Sequence, residues 1–243
     1  MTASFSISGL FESADITWAT AYYLLGGVGM TCLLIGGAMG LGLILGTIMA
    51  SFQVFGPRWS AWLAGLYTWF FRGVPILVLM FLFHFGLATA LESAVWFLFD
   101  YRLRVPPLAT AVLVLGLCSA AYQSQIFRGA MQSIPAGQFK AATALGMSRF
   151  GAVKNIILPQ ALRISIPAWS NEYSILLKDS AIAFVLGVDE IMARIKAISS
   201  TNHKPLLMFI LAGILYYVLT WVGVRLLLYV YDRVRIPGLA ESD

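Results

Sequence analysis

Of the 243 residues, 60% are hydrophobic and only 11% are charged, with a net charge of +5, whereas soluble domains are roughly a quarter charged. That balance excludes a nucleic-acid partner and marks an all-α integral membrane protein, whose basic excess has meaning only relative to its spans. Cys32 and Cys118 lie in apolar runs and read as packing residues, and His84 and His203 stand apart, so no metal site is expected.

Residues 1–15 carry Glu12 and Asp15 but no Lys or Arg, the reverse of a removable leader. A tail of about 1–18 is therefore expected to remain, on the extracytoplasmic side. A helix needs about 20 apolar residues to cross the hydrocarbon core. Five stretches qualify, within 21–52, 59–90, 106–127, 164–188 and 205–231. The first is longer than a crossing requires, which predicts a tilt or an extension beyond the bilayer. The second is interrupted by Arg72, Pro75 and His84, and the fourth holds Glu172, Lys178 and Asp179. The apolar piece 95–99 is expected as an extracytoplasmic loop or interfacial helix. The chain reads as one transmembrane domain, 1–243.

An odd number of spans puts the termini on opposite sides. Arg58, Arg128, Lys140, Arg149, Lys154, Arg163, Arg225, Arg233 and Arg235 fall on one side, against Arg102, Arg104, Arg194, Lys196 and Lys204, a count of nine to five. Lys and Arg are retained in the cytoplasm, so the N-terminus is expected outside and the C-terminus inside. Within the first span, Gly36/Gly40 and Gly42/Gly46 have the spacing that lets helix backbones approach.

Between the third and fourth spans lies a polar segment, 133–163, with no acidic residue anywhere between Asp100 and Glu172. Pro135-Ala136-Gly137 predicts a turn. A short helix over 138–145 follows, its Ala141, Ala142 and Ala144 leaving room for another protein surface. Gly146 suits the positive φ that ends one helix before the next. Helical spacing resumes over 147–157, and Pro159 predicts a bend toward the fourth span. On these grounds the segment is either a docking hairpin or a folded link.

The frame Lys140-Ala141-Ala142, Gly146, Ile156, Leu158-Pro159 resembles the cytoplasmic loop of ATP-binding-cassette importer permeases. Their pattern is Glu-Ala-Ala, three residues, Gly, nine residues, Ile-x-Leu-Pro. Phe71-Arg72-Gly73-Val74-Pro75, Phe127-Arg128-Gly129-Ala130, Ser133-Ile134-Pro135, Leu177-Lys178-Asp179 and Gly187-Val188-Asp189-Glu190 are similar to the polar-amino-acid branch, of the histidine, glutamine and arginine type. The likeness runs from about residue 20 to the C-terminus.

The resemblance implies a type I importer permease fold of five spans, with a coupling-helix loop between spans three and four, in the cytoplasmic (inner) membrane. It implies two ATPase subunits, a second permease subunit (identical or paralogous) and an extracytoplasmic solute-binding protein as partners. The coupling residues it implies are Gly137, Lys140, Ala141, Ala142, Gly146, Ile156, Leu158 and Pro159. The chain has no Gly-Lys dipeptide and so no phosphate loop. It is expected to be no enzyme and to hold no cofactor, ATP and Mg belonging to the partner ATPase. Two positions depart from the pattern. Lys140 stands where the family has Glu, and Gln125 where close relatives often have an acid.

A charge inside a span is expensive and usually functional. Glu172 and Asp179 are seven residues apart and share one helical face, with Asn171 and Lys178 on the adjacent one. Such a helix is expected to line an aqueous pathway. Glu172 would receive the ammonium group of an amino acid, Asn171 and Gln123 would supply hydrogen bonds, and Arg72 would meet a carboxylate. Lys178 and Asp179 read as a gate or a structural pair, and His84 as structural. The function these readings support is ATP-driven uptake of polar or charged amino acids by alternating access. A secondary transporter or channel, which would need no docking loop, and a structural subunit of a membrane enzyme complex remain alternatives.

Overall fold

The computed structural model describes residues 18–235, so the expected tail, Trp18 apart, lies outside the described residues. The helices are α1 (Trp18–Phe55), α2 (Arg58–Gly73), α3 (Ile76–Phe99), α4 (Pro107–Ser133), α5 (Ala136–Ala144), α6 (149–179), α7 (Ile191–Asn202) and α8 (Pro205–Val234). A π turn, Leu82–Ala88, lies inside α3, a second, Val153–Ile157, lies inside α6, and a 3-10 turn, Ser180–Leu186, closes α6.

Among the described residues four helices are long and apolar enough to cross a membrane: α1, α3, α4 and α8. The second of these differs from the expected 59–90. Val74 is extended (φ −98°, ψ 132°) ahead of Pro75, so α2 stops at Gly73. Proline has no N–H to donate and disfavours helical geometry in the residue before it. The apolar crossing is therefore 76–99, and 95–99 is its last turn, not a separate loop or helix. His84 lies in the π turn of α3 and meets Thr110 Oγ1 through Nδ1 at 3.1 Å, a structural tie to α4.

The interior is built on α4, along which α1 packs. Leu34, Leu79, Met80, Leu115 and Leu177 form one core cluster drawn from four helices. Gly42 and Gly46 make the close approach possible: a Cβ on Gly46 would lie 3.1 Å from the Ala120 carbonyl oxygen and from the Ser124 nitrogen, both on α4. Gly36 and Gly40, the other expected pair, have nothing within 4 Å. Cys118 is buried as expected, but Cys32 is exposed on the outer face of α1 and is not a packing residue.

The expected fourth span falls on α6, whose α-helical part ends at Asp179. The chain then tightens into the 3-10 turn and is released by Gly187 at φ +88°. Pro159 does not interrupt it. The helix continues through that residue because a π turn precedes it, with Leu158 N–H bonded to the Val153 carbonyl five residues back.

Candidate functional site

Three polar features stand out: a hairpin at one end, a buried relay in the middle, and a cleft beside it.

The hairpin is α5, its closing turn and the start of α6. Pro135 (φ −55°, ψ 127°) caps the helix, and the predicted turn is its first: Gln138 N–H bonds to the Pro135 carbonyl at 3.0 Å, so helix begins at Ala136, two residues before the predicted 138. Gly146 has φ +85°. Its N–H bonds to the Thr143 carbonyl at 3.1 Å and the Met147 N–H to the Ala142 carbonyl at 3.1 Å, which is the Schellman closure expected for a C-terminal glycine. Ser148 Oγ then caps the next helix by accepting from Gly151 N–H at 3.1 Å, so helix resumes at Arg149, two residues later than predicted.

The hairpin is held from behind. Phe139 stacks on Phe55 with ring centroids 5.4 Å apart, and Gln160 Nε2 donates to Gln138 Oε1 at 2.6 Å. Ile134, Ile157 and Phe127 are buried beneath it, with Ile156 and Leu158 half-buried against them. Of the family-implied coupling residues, Ala142 is turned inward. Gly137, Lys140, Ala141, Gly146 and Pro159 are exposed, joined by Leu145 at 85% exposure. The outer face is thus small-residue backbone with Lys140 and Leu145 on α5 and its turn, followed by exposed Arg149 and Phe150 where α6 begins.

The relay joins α4 and α6. Trp169 Nε1 donates to Gln123 Oε1 (2.8 Å), Gln123 Nε2 to Ser119 Oγ (2.9 Å), and Ser119 Oγ to Glu172 Oε1 (2.7 Å). Glu172 is 3% exposed and Gln123 is fully buried. The expected open face at Glu172 is therefore closed within this chain. Asn171 and Lys178, on the neighbouring face, are the exposed pair, and Asp179 is half-buried. Among the described residues no ion pair joins Lys178 to Asp179, whereas Arg194 pairs with Asp189 at 2.7 Å.

The cleft, about 680 Å3, is lined by Thr68, Trp69, Arg72, Tyr122, Gln125 and Arg128 among others. Arg72 lies over the Tyr122 ring at 4.9 Å. Arg128 Nε donates to Gln125 Oε1 at 3.0 Å, and Gln125 Nε2 donates to Gln53 Oε1 at 3.1 Å. At the position where an acid was expected from relatives, a neutral amide receives Arg128 and leaves its charge uncancelled.

Sequence reasoning missed Ser119, Trp169 and Tyr216. Ser119 lies four residues before Gln123, one turn along α4, and Trp169 three before Glu172, so each had a helical-spacing signal. Tyr216 donates to Glu190 Oε2 at 2.5 Å, while Glu190 Oε1 accepts from Ala193 N–H at 2.8 Å and caps α7. Burial pushes the Glu190 carboxyl above its ordinary range, and these hydrogen bonds pull it back.

Residues 42–236 match the family model described as binding-protein-dependent transport system inner membrane component. The probable amino-acid permease protein YxeN of Bacillus subtilis (strain 168) is 42% identical over 158 residues, 65% of this chain and 67% of that one. The octopine transport system permease protein OccQ of Rhizobium meliloti is 34% identical over 202 residues, covering 82% and 85%. A crystal structure of an amino acid ABC transporter with histidines superposes with a TM-score of 0.74 at 27% identity, covering 96% of this chain and all of that one. The chain belongs to the family of binding-protein-dependent transport system inner membrane components.

Proposed function

We propose that the chain is the transmembrane permease subunit of an ATP-driven importer that moves polar or charged amino acids by alternating access. The observation that carries this is the hairpin: a Schellman-closed helix whose exposed side is Gly137, Lys140, Ala141 and Leu145. A bare leucine beside small residues suits a partner's groove better than water. In this reading two separate ATPase subunits, holding ATP and Mg, grip the hairpins of this chain and of a second permease subunit, identical or paralogous. An extracytoplasmic solute-binding protein delivers the substrate. The likeness to amino-acid and octopine permeases supports amino acids or their conjugates as cargo.

The reading has five spans, α6 being the fourth, with the N-terminus outside. Arg72 lines the cleft and is the group for a substrate carboxylate, and Asn171 is exposed on α6 to supply a hydrogen bond. Glu172 and Gln123 form the inner wall, and Lys178 with Asp179 is the gate pair. Glu172 becomes available to an ammonium group only when α4 and α6 part.

Reconstitution in vesicles with candidate ATPase subunits and a binding protein tests this. Loaded binding protein should raise ATP hydrolysis, and uptake should require ATP. Hydrolysis independent of this chain, or uptake sustained by an ion gradient alone, would overturn the proposal.

A further inference from the structure

A groove of about 510 Å3 lies between the end of α1 and the start of α6. Phe52, Phe55, Val153 and Leu158 contribute apolar walls, Arg149 and Lys154 supply two cations, and no acidic residue lines it. The Lys154 ammonium sits over the Phe150 ring at 5.9 Å. On α1 the wall continues as a strip, because Ile44, Ile48 and Phe52 follow one another at intervals of four and are 62, 48 and 48% exposed. A strip of this kind on an apolar helix is a hydrocarbon contact, and Arg and Lys at its end reach for the headgroup level.

We propose that this groove binds an anionic phospholipid, its acyl chain along Ile44, Ile48 and Phe52 and its phosphate between Arg149 and Lys154. Charge selects this occupant. Two cations without a neighbouring acid favour an anionic headgroup, and a guanidinium fits phosphate in bidentate fashion. A second copy of the same face is the poorer partner, since it would bring only further cations, α1 having no charged residue between Asp15 and Arg58. Arg149 opens α6 directly after the turn that closes α5, so a lipid held there ties that end of the hairpin to the leaflet.

The test places the full-length chain in phosphatidylcholine nanodiscs with a trace of photoreactive phosphatidylglycerol. Labelling should fall on peptides 44–56 and 149–158. Unlabelled phosphatidylglycerol should displace the probe, whereas inorganic phosphate and phosphatidylcholine should not. Replacing both cations, Arg149→Gln with Lys154→Gln, should lower labelling about thirtyfold, and the charge-keeping pair Arg149→Lys with Lys154→Arg should retain it. If the glutamine pair fails to fold, Ile48→Glu, which sets a carboxylate in the apolar wall, should give a comparable loss. Several outcomes overturn the proposal: equal labelling by a phosphatidylcholine probe, displacement by phosphate, labelling indifferent to these variants, or cross-links through Phe52 to a second copy or an ATPase.

Discussion

The Ser119 hydroxyl donates to Glu172 Oε1 at 2.7 Å, joining α4 to α6 through a carboxylate almost wholly withdrawn from solvent. Because Ser119 also accepts from Gln123, all three donors of the relay point the same way, from the Trp169 indole toward the acid.

Ser119→Ala removes a hydrogen bond to that acid and leaves Gln123 short of an acceptor. It should cost about 1–3 kcal/mol, read as a lower thermal midpoint of the solubilised chain. Glu172→Gln keeps an acceptor for Ser119 and should be milder for folding while impairing uptake. Equal midpoints for Ser119→Ala and the parent would dissolve the relay.

Gly146→Ala places a Cβ on a residue at φ +85°, a strain of about 1–2 kcal/mol. The exposed turn should distort, uncoupling hydrolysis from uptake in vesicles. Gly137→Ala is the contrast, since the residue is helical with open space around it. It should stabilise α5 by about 0.5–1 kcal/mol, and a coupling defect there would assign the loss to steric contact with the ATPase.

Gly46→Ala drives a methyl against α4 backbone atoms that cannot swing aside. The expected loss is about 1–3 kcal/mol by overpacking, measured by denaturation in mild detergent. Gly36→Ala and Gly40→Ala meet no atom within 4 Å in this chain. They should leave the isolated subunit intact, and any effect they have should appear only in assembly with a second subunit.

Tyr216→Phe and Glu190→Ala each break the contact that fastens α7 to α8. In a double-mutant cycle the two should couple by about 0.5–3 kcal/mol. Strict additivity would mean that the 2.5 Å hydrogen bond carries no stability.

Run length alone places α1, α4 and α8 within a few residues, because an apolar segment of that length has few alternatives to a helix. Hydropathy averages over Pro75, whose effect is on the backbone, so 59–90 reads as one span although it is two helices. Gly146 is legible because its φ suits glycine above other residues. The direction of Glu172 is not: its partner Ser119 lies 53 residues away across the α4–α6 contact, and α6 carries both a π turn and Pro167. The rotation of α6 about its axis, which decides whether the acid faces a cleft or a neighbour, depends on those irregularities, and hydrophobic periodicity does not report them.

The π turn at Val153–Ile157 holds one residue more than a regular turn would, and it sits between the hairpin and the acid. Were a load on the hairpin to expel that residue, everything beyond would turn by about 100° and slide by about 1.5 Å. A push of atomic size at one end would thereby become a change of facing at Glu172, the five-residue hydrogen bonds of the π turn being exchanged for four-residue ones. In mechanical language, α6 is a screw with a spare thread.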